Sequence, residues 1–160
     1  MAVDMFLKID DVKGESADDK HKDQIDVLSW SWGITQSATG HVGGGSGSGK
    51  ANVSDIHITK YIDSSSHKLL KSTATGKHYK EALLTIRKAG EKPLEYIKIT
   101  MKEVLISSIS CGGSGGEDRL TENITLNFAD VDYVYTPQKP DGSGGSALPF
   151  GYNIAKNEAR

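Results

Sequence analysis

The chain has very little cysteine and no long apolar run. Cys111 is the single cysteine among 160 residues, so an internal disulfide is excluded. No apolar stretch approaches the roughly 20 residues that a membrane-spanning helix needs, and no basic start followed by an apolar run marks a leader. We therefore expect no membrane segment, folding in a reducing cytoplasm and, if the protein is secreted, export without a signal peptide.

Charge is also missing from one long stretch, because residues 27–49 contain no Asp, Glu, Lys or Arg. The first part of this stretch alternates like a strand, and residues 43–49 are a glycine- and serine-rich run. Period-two spacing puts four apolar side chains on one face and four small ones on the other. The apolar set is Leu28, Trp30, Trp32 and Ile34, and the small set is Ser29, Ser31, Gly33 and Thr35.

The chain also has no net positive charge, since its formal net charge is −2. Nucleic-acid binding would favour a basic domain, so no nucleic-acid partner is expected. The charge is segregated, however: residues 50–102 carry an excess of six positive charges, and residues 1–30 and 103–160 each carry an excess of four negative ones. This pattern suits either a solvated surface or a molecule whose basic side meets the acidic side of another copy.

What the chain does contain is short runs of strand-forming residues separated by most of its 18 glycines, which predicts a mainly β protein with one core. Residues 3–9 and 54–59 alternate as strands. A short helix is expected from a cap at Asp63 or Ser64 to about Thr75, stopped by Gly76 and buried through Leu69 and Leu70.

Two longer strands are expected after the helix. In the strand over residues 94–110 the apolar phase changes near Lys102 and Glu103, and in the strand over residues 120–135 it changes again. Such changes indicate bulges, which bend sheets into barrels. A hairpin loop over residues 111–118 joins these two strands, and the chain from Thr136 onward is expected to be irregular.

Two glycine-rich motifs offer a catalytic alternative. Residues 44–50 fit the phosphate-binding pattern GxxxxGK, but Ala51 stands where a metal-binding Ser or Thr belongs and a strand follows. Residues 112–116 fit the nucleophile pattern GxSxG around Ser114, but strands flank both sides. A monomeric hydrolase or nucleotide-binding module using Ser114 or Lys50 is therefore the rival hypothesis. The five histidines show no metal-ligand spacing, so no metal, cofactor or catalytic residue is expected.

Taken together, several segments resemble the haemolysin-coregulated (Hcp) tube proteins of bacterial type VI secretion systems. The resemblance runs from Met1 to about Lys139, and the tail over residues 140–160 carries the least of it. The segments are Met1–Phe6, Ser29–Gly33, the glycine loop to Lys50, Thr59–Asp63, Leu84–Gly90, Gly112–Asn123 and Thr125–Phe128.

This resemblance implies a single domain over residues 1–160, with residues 140–160 as an irregular tail. It also implies a compact β-barrel of two packed, bulged antiparallel sheets with one short flanking helix, assembled as a hexameric ring. Rings of this family stack into a tube, which a contractile sheath expels with a spike protein at its tip. The family also holds effector proteins in the ring lumen and leaves the cell with them. The expected role is structural and transport-related, without catalysis.

On this basis two groups of residues are candidate contact sites. The small face of Ser29, Ser31, Gly33 and Thr35 is expected to line the lumen and touch effectors. The loop from about Ala38 to Asn52 is expected to reach a neighbouring subunit or ring, because long loops without a role are uncommon. Its candidate contact residues are His41, Gly43, Gly44, Gly45, Ser46, Gly47, Ser48, Gly49 and Lys50.

Overall fold

The fold is known from a computed structural model, which describes residues 2–36 and 50–160. The described strands are β1 (Val3–Ile9), β2 (Ile25–Ser31), β3 (Ile34–Thr35), β4 (Asn52–Val53), β5 (Ile56–Tyr61), β6 (His78–Lys88), β7 (Glu95–Gly112), β8 (Thr121–Asn127), β9 (Asp130–Tyr135), β10 (Leu148–Asn153) and β11 (Glu158–Ala159). Helix α1 (Ser66–Thr75) lies between β5 and β6 and is the one helix in these two ranges.

Nine strands form one antiparallel sheet that closes on itself. The strand order is β11-β10-β9-β7-β6-β1-β2-β5-β8, and an additional pairing of β7 with β8 closes β7, β6, β1, β2, β5 and β8 into a six-stranded barrel. Strands β9, β10 and β11 extend the sheet beyond the barrel as a wing, while β3 and β4 pair separately. The predicted bulged β-barrel with a short helix is therefore confirmed. No helix in the described ranges is both long and apolar enough to span a bilayer.

The alternating strand residues fill the barrel, as their period predicts. Fully buried side chains come from all six barrel strands, so the core is continuous around the barrel. These include Leu7, Ile25, Ile58, Leu84, Ile99, Val104, Ile106, Ile124 and Leu126.

The helix has the predicted C-terminus, where Gly76 adopts a left-handed conformation at φ 69° and donates its backbone N–H to Ser72. The predicted cap at Asp63 or Ser64 is wrong by one or two residues, because the N-cap is Ser65 and the helix begins at Ser66. Asp63 still contributes, since its carboxylate accepts the Ser65 N–H at 2.9 Å. The predicted burial of Leu70 is wrong: Leu69 is fully buried, whereas Leu70 is 46% exposed. Neighbouring helix residues point about 100° apart, so only one of the two faces the barrel.

The predicted phase change in β7 is confirmed at Glu103, whose φ of 54° is left-handed. Met101 is buried before this residue and Val104 after it. Strand β7 also changes partners here, from β9 over residues 97–102 to β8 over residues 105–112. Register shifts in the barrel lie elsewhere, at Val27/Ser29, Ile86/Arg87 and Ile106/Ser108. One strand thus serves both the barrel and the wing.

Two sequence predictions about the second half of the chain are wrong. Residues 120–135 form two strands, β8 and β9, interrupted by a bend at residues 128–129, and both strands run antiparallel to β7. The tail is not irregular throughout, since it contributes β10 and β11. Arg160 holds it in place by pairing with Asp130 and with Asp132 at 2.9 Å. The hydrogen bond from Arg160 also holds the pKa of the Asp130 carboxyl below its ordinary value.

Candidate functional site: an uncharged polar face on the barrel

The predicted small face of β2 lies on the outside of the barrel. Ser29, Ser31, Gly33 and Thr35 are all exposed. On the opposite side, Trp30 and Trp32 are half-buried against the core, and Trp32 donates its indole N–H to the Ser54 carbonyl at 3.1 Å. The predicted apolar face is only half right, because Leu28 and Ile34 are 38% and 41% exposed. The register shift at Val27/Ser29 takes Leu28 out of the core phase.

Strand register extends this face across four strands. Ser29 pairs with Thr59 of β5, and Ser31 pairs with His57. Residues directly opposite each other in a sheet share a face, so the two rows can be followed through β8 and β7. The eight residues, named here the polar wall, are Ser29, Thr59, Asn123 and Ser110 in the first row and Ser31, His57, Thr125 and Ser108 in the second.

Several side chains of the polar wall bond to one another or to neighbouring polar groups. Thr59 Oγ1 donates to Asn123 Oδ1 at 2.7 Å. The hydroxyls of Ser108 and Thr125 are 2.7 Å apart, and Thr125 also lies 2.6 Å from the Ser107 hydroxyl. The eight side chains of the wall therefore present hydroxyl, amide and imidazole groups.

Charged groups lie at the two ends of the polar wall. At one end Asp55 accepts hydrogen bonds from Ser107 at 2.6 Å and from Asn127 at 2.9 Å. At the other end the Arg119 guanidinium lies 3.8 Å from the centre of the Tyr61 ring. The middle of the wall has no formal charge while His57 is neutral.

Directly behind the wall lies a buried ionic cluster, formed by the alternate side chains of the same strands. Lys60 of β5 is fully buried and pairs with Glu122 of β8, which is 1% exposed. Lys60 also donates to Asp63 at 3.0 Å and to the Tyr61 carbonyl at 2.8 Å. Ser66, at the start of α1, donates to Glu122 at 2.6 Å. The cluster thus joins the helix to the sheet that carries the wall.

Sequence reasoning missed this cluster, although the sequence contains a signal for it. Lys60 continues the buried phase of Ile56 and Ile58, and Glu122 precedes Ile124 in the buried phase of β8. A lysine and a glutamate in apolar phase indicate a buried pair, since charged groups are rarely buried without a partner. The alternation of each strand could have predicted that Lys60 and Glu122 are buried. It could not have predicted that these two residues contact each other.

The loop candidates lie almost entirely outside the described residues, and this includes His41 and Gly43 to Gly49. Lys50 is described and exposed. The phosphate-binding pattern ending there is followed by strand β4 (Asn52–Val53), so the helix N-terminus that would hold a phosphate is not formed. This part of the rival hypothesis is not supported.

The nucleophile hypothesis for Ser114 is not supported either. Ser114 lies in an exposed loop between two strands, and its hydroxyl donates to Glu117 at 3.3 Å. The strand-to-helix turn that activates such a serine is not formed. Within the described ranges no group of three or more His, Cys, Asp or Glu residues is placed to hold a metal ion.

The comparisons with known proteins identify the family. The model of a family described as "Type VI secretion system effector, Hcp" matches residues 6–135. The chain therefore belongs to the Hcp family of the type VI secretion system. It is 60% identical over 159 residues to "Protein hcp1" of Pseudomonas aeruginosa, an alignment that covers 98% of each chain. The similarity to this relative therefore extends into the tail over residues 140–160, beyond the motifs that end at about Lys139.

Solved structures show the same fold. A "type six secretion system protein" superimposes with a TM-score of 0.94 at 33% identity, covering 99% of this chain and 100% of that one. Hcp1 from Salmonella typhimurium gives a TM-score of 0.81 at 37% identity and covers both chains fully. The barrel with its wing is therefore the architecture that these family members share.

Proposed function

We propose that this protein is the structural subunit of a type VI secretion tube. Six copies close into a ring, rings stack head to tail, and the polar wall lines the lumen and holds effector proteins without catalysis. The observation that carries this proposal is the polar wall itself. It is a polar face of exposed and half-buried side chains, without formal charge in its middle, on the barrel of a chain that belongs to the Hcp family.

The sheet behind the polar wall has free edges suited to ring closure. β2 pairs with β1 only at Ile25 and Asp26, so in the described structure residues 28–31 have no strand on that side. β6 pairs with β7 only as far as Leu105. On the β6 side, residues 106–112 of β7 therefore pair with no strand among the residues that the structure describes. Exposed edges favour pairing with another chain. Joining these two edges between neighbours would continue the wall around a ring.

The family also supports finer parts of the proposal. We propose a spike protein at the tube tip, a contractile sheath around the tube, and release from the cell through this apparatus after synthesis in the cytoplasm. A head-to-tail contact joins two different surfaces, which the segregated charges of the sequence suit. One ion pair between the basic and acidic segments forms within the chain itself, where Arg87 of the basic segment pairs with Asp18 of the acidic segment.

The direct test is the assembly state. Size-exclusion chromatography followed by negative-stain electron microscopy of the purified protein should show six-membered rings with an open centre. A monomer at micromolar concentration, above all one with measurable nucleotide affinity, would contradict the proposal.

Replacing Ser31 by arginine should leave ring formation intact, because the proposed edge contact uses the backbone of residues 28–31 and not this exposed side chain. It should weaken effector retention about tenfold, equal to about 1.4 kcal/mol. The side chain is exposed, so the fold tolerates it, whereas a bulky charge in a neutral contact face costs desolvation energy. Co-purification of effectors with tagged rings measures the loss. Ala74→Arg, at an exposed position of α1 outside the wall, is the matched control. Equal effector recovery from both variants would refute the lumen assignment.

We further propose that the loop from about Ala38 to Asn52 contacts a neighbouring subunit or ring. Its two ends are held together, because Ile34 pairs with Val53 and Thr35 with Asn52. Deleting Gly43 to Gly49 should leave this short ladder and the barrel intact but impair ring closure or stacking. Electron microscopy of the deletion variant would show incomplete rings or unstacked ones. Normal rings and stacks would contradict the contact.

A further inference from the structure

The two ends of the polar wall carry opposite charges. At one end Arg119 is exposed just before β8, and its guanidinium lies over the ring of Tyr61, the last residue of β5. At the other end Asp55 directly precedes β5, and its carboxylate accepts hydrogen bonds from Ser107 and Asn127. Both charges are therefore held in position where the wall strands begin or end.

Neither charge has an ion-pair partner among the described residues. Asp55 and Arg119 take part in none of the ion pairs that these residues form. Glu117 and Asp118 precede Arg119 in the chain, but Glu117 instead accepts hydrogen bonds from the N–H and the hydroxyl of Ser114. Each end of the wall thus presents a charge that another molecule could pair with.

The proposed ring determines where these two ends lie. Neighbouring subunits would join side by side, through the free edges of β2 and β7. Strands of closed barrels tilt by about 35–45° from the axis, so the wall strands would run mainly along the tube. Their two ends would then lie on opposite faces of one ring. A head-to-tail stack brings the Arg119 face of each ring against the Asp55 face of the next.

Apolar side chains accompany the charge at both ends. Ile62 and Leu120 are exposed at the Arg119 end, where the Ile62 N–H donates to the Leu120 carbonyl at 2.9 Å. At the other end Ile34 is exposed on β3, whose partner strand β4 ends two residues before Asp55. A contact between the two ends would therefore bury apolar area as well as join opposite charges.

From this arrangement we infer that both ends of the wall bind a second copy of this chain, and that Arg119 of one ring pairs with Asp55 of the next. The inference rests on the proposed function, because the two residues meet only if the polar wall lines the lumen of stacked rings. It goes further by naming the contact. One exposed ion pair contributes little, but a hexameric ring repeats the contact six times at every junction, and linked contacts reinforce one another.

The test exchanges the charges at the junction. Rings of Arg119→Glu, or of Asp55→Arg, place like charges against each other, so each variant alone should stack at least about tenfold more weakly than the wild type in low salt. An equimolar mixture of the two variants should stack again, because every junction between unlike rings then joins a carboxylate to a guanidinium. Sedimentation velocity and negative-stain electron microscopy measure the stacks.

Two further variants protect this test. Lys71→Glu is the matched control, since Lys71 is exposed on α1 outside both ends of the wall, and its rings should stack like the wild type. Asp55→Asn removes the charge with little change in size. It should weaken stacking in the same direction, and it replaces Asp55→Arg if that variant forms no rings. Wild-type stacking should also fall between about 20 mM and about 500 mM salt, because salt screens exposed charges.

Each result decides for or against the junction pair. Single variants that stack like the wild type, a mixture that stays unstacked, or wild-type rings that remain single in low salt would overturn it and leave the ring proposal intact. Stacking of Lys71→Glu as weak as that of Arg119→Glu would also overturn it. Failure of the wild-type protein to form rings in the electron microscope would instead overturn the proposed function, and this inference with it.

Discussion

Replacing Lys60 by methionine is expected to lower the free energy of unfolding by about 3–5 kcal/mol, the usual cost of breaking a buried ion pair. Methionine fits the space of the lysine stem, so the loss comes mainly from charge. Glu122 and Asp63 would remain in a buried site without the ammonium group that now binds both. Urea unfolding followed by circular dichroism at pH 8 measures the change.

A second substitution separates charge from packing. Lys60→Met combined with Glu122→Leu removes the unpaired carboxylate and should recover part of the lost stability, because apolar replacements of buried pairs are often tolerated. A single variant as stable as the wild type at pH 8 would show that the cluster does not hold the helix to the sheet.

Gly14→Ala is expected to destabilise the protein by about 1–3 kcal/mol, as overpacking typically does. A Cβ at residue 14 would lie 2.5 Å from the Gln24 carbonyl oxygen and 2.8 Å from Ile25 Cα. These are backbone atoms, so they cannot rotate away. The Gly14 N–H also donates to Asp23 at 2.7 Å, which fixes the approach of the two segments. Thermal unfolding should show a lower midpoint.

Gly115→Ala is the control for this prediction, because nothing lies within 4 Å of the Cβ it would add. Its effect should stay within about 0.5 kcal/mol, as for most surface substitutions. If the two variants unfold at the same temperature, the segment over residues 10–24 is not held as closely as the structure shows.

The elements that sequence predicted well are those governed by neighbours along the chain. Strand β1 follows from its alternation, and the end of α1 at Gly76 follows from the left-handed backbone that glycine tolerates. Strand β10 was missed because Pro149 and Gly151 break a strand pattern. The space at Gly151 depends on residues that lie elsewhere in the chain: a Cβ there would lie 2.6 Å from Oδ1 of Asp132 and 2.8 Å from Cγ of Arg160, so these side chains would have to shift.

In the candidate site too, local sequence patterns predict some features, whereas others depend on residues far apart in the chain. Ser29 and Ser31 could be assigned to one face from β2 alone, but Thr59, Asn123 and Ser110 join them only through register with β5, β8 and β7. Register depends on pairing between segments far apart in the chain, which no local pattern contains. The same holds for the pairing of Lys60 with Glu122, whose positions differ by 62 residues.

The hydrogen bonds within the polar wall bear on how fast a bound protein could move along a tube. Thr59, Asn123, Ser108 and Thr125 already bond to one another in pairs, so a passing surface meets groups that are partly satisfied. A hydrogen bond that only replaces another contributes little net free energy. If the wall lines the lumen as proposed, each step of a cargo along it would break and form contacts of similar energy. Such a surface would confine a protein without fixing it in place.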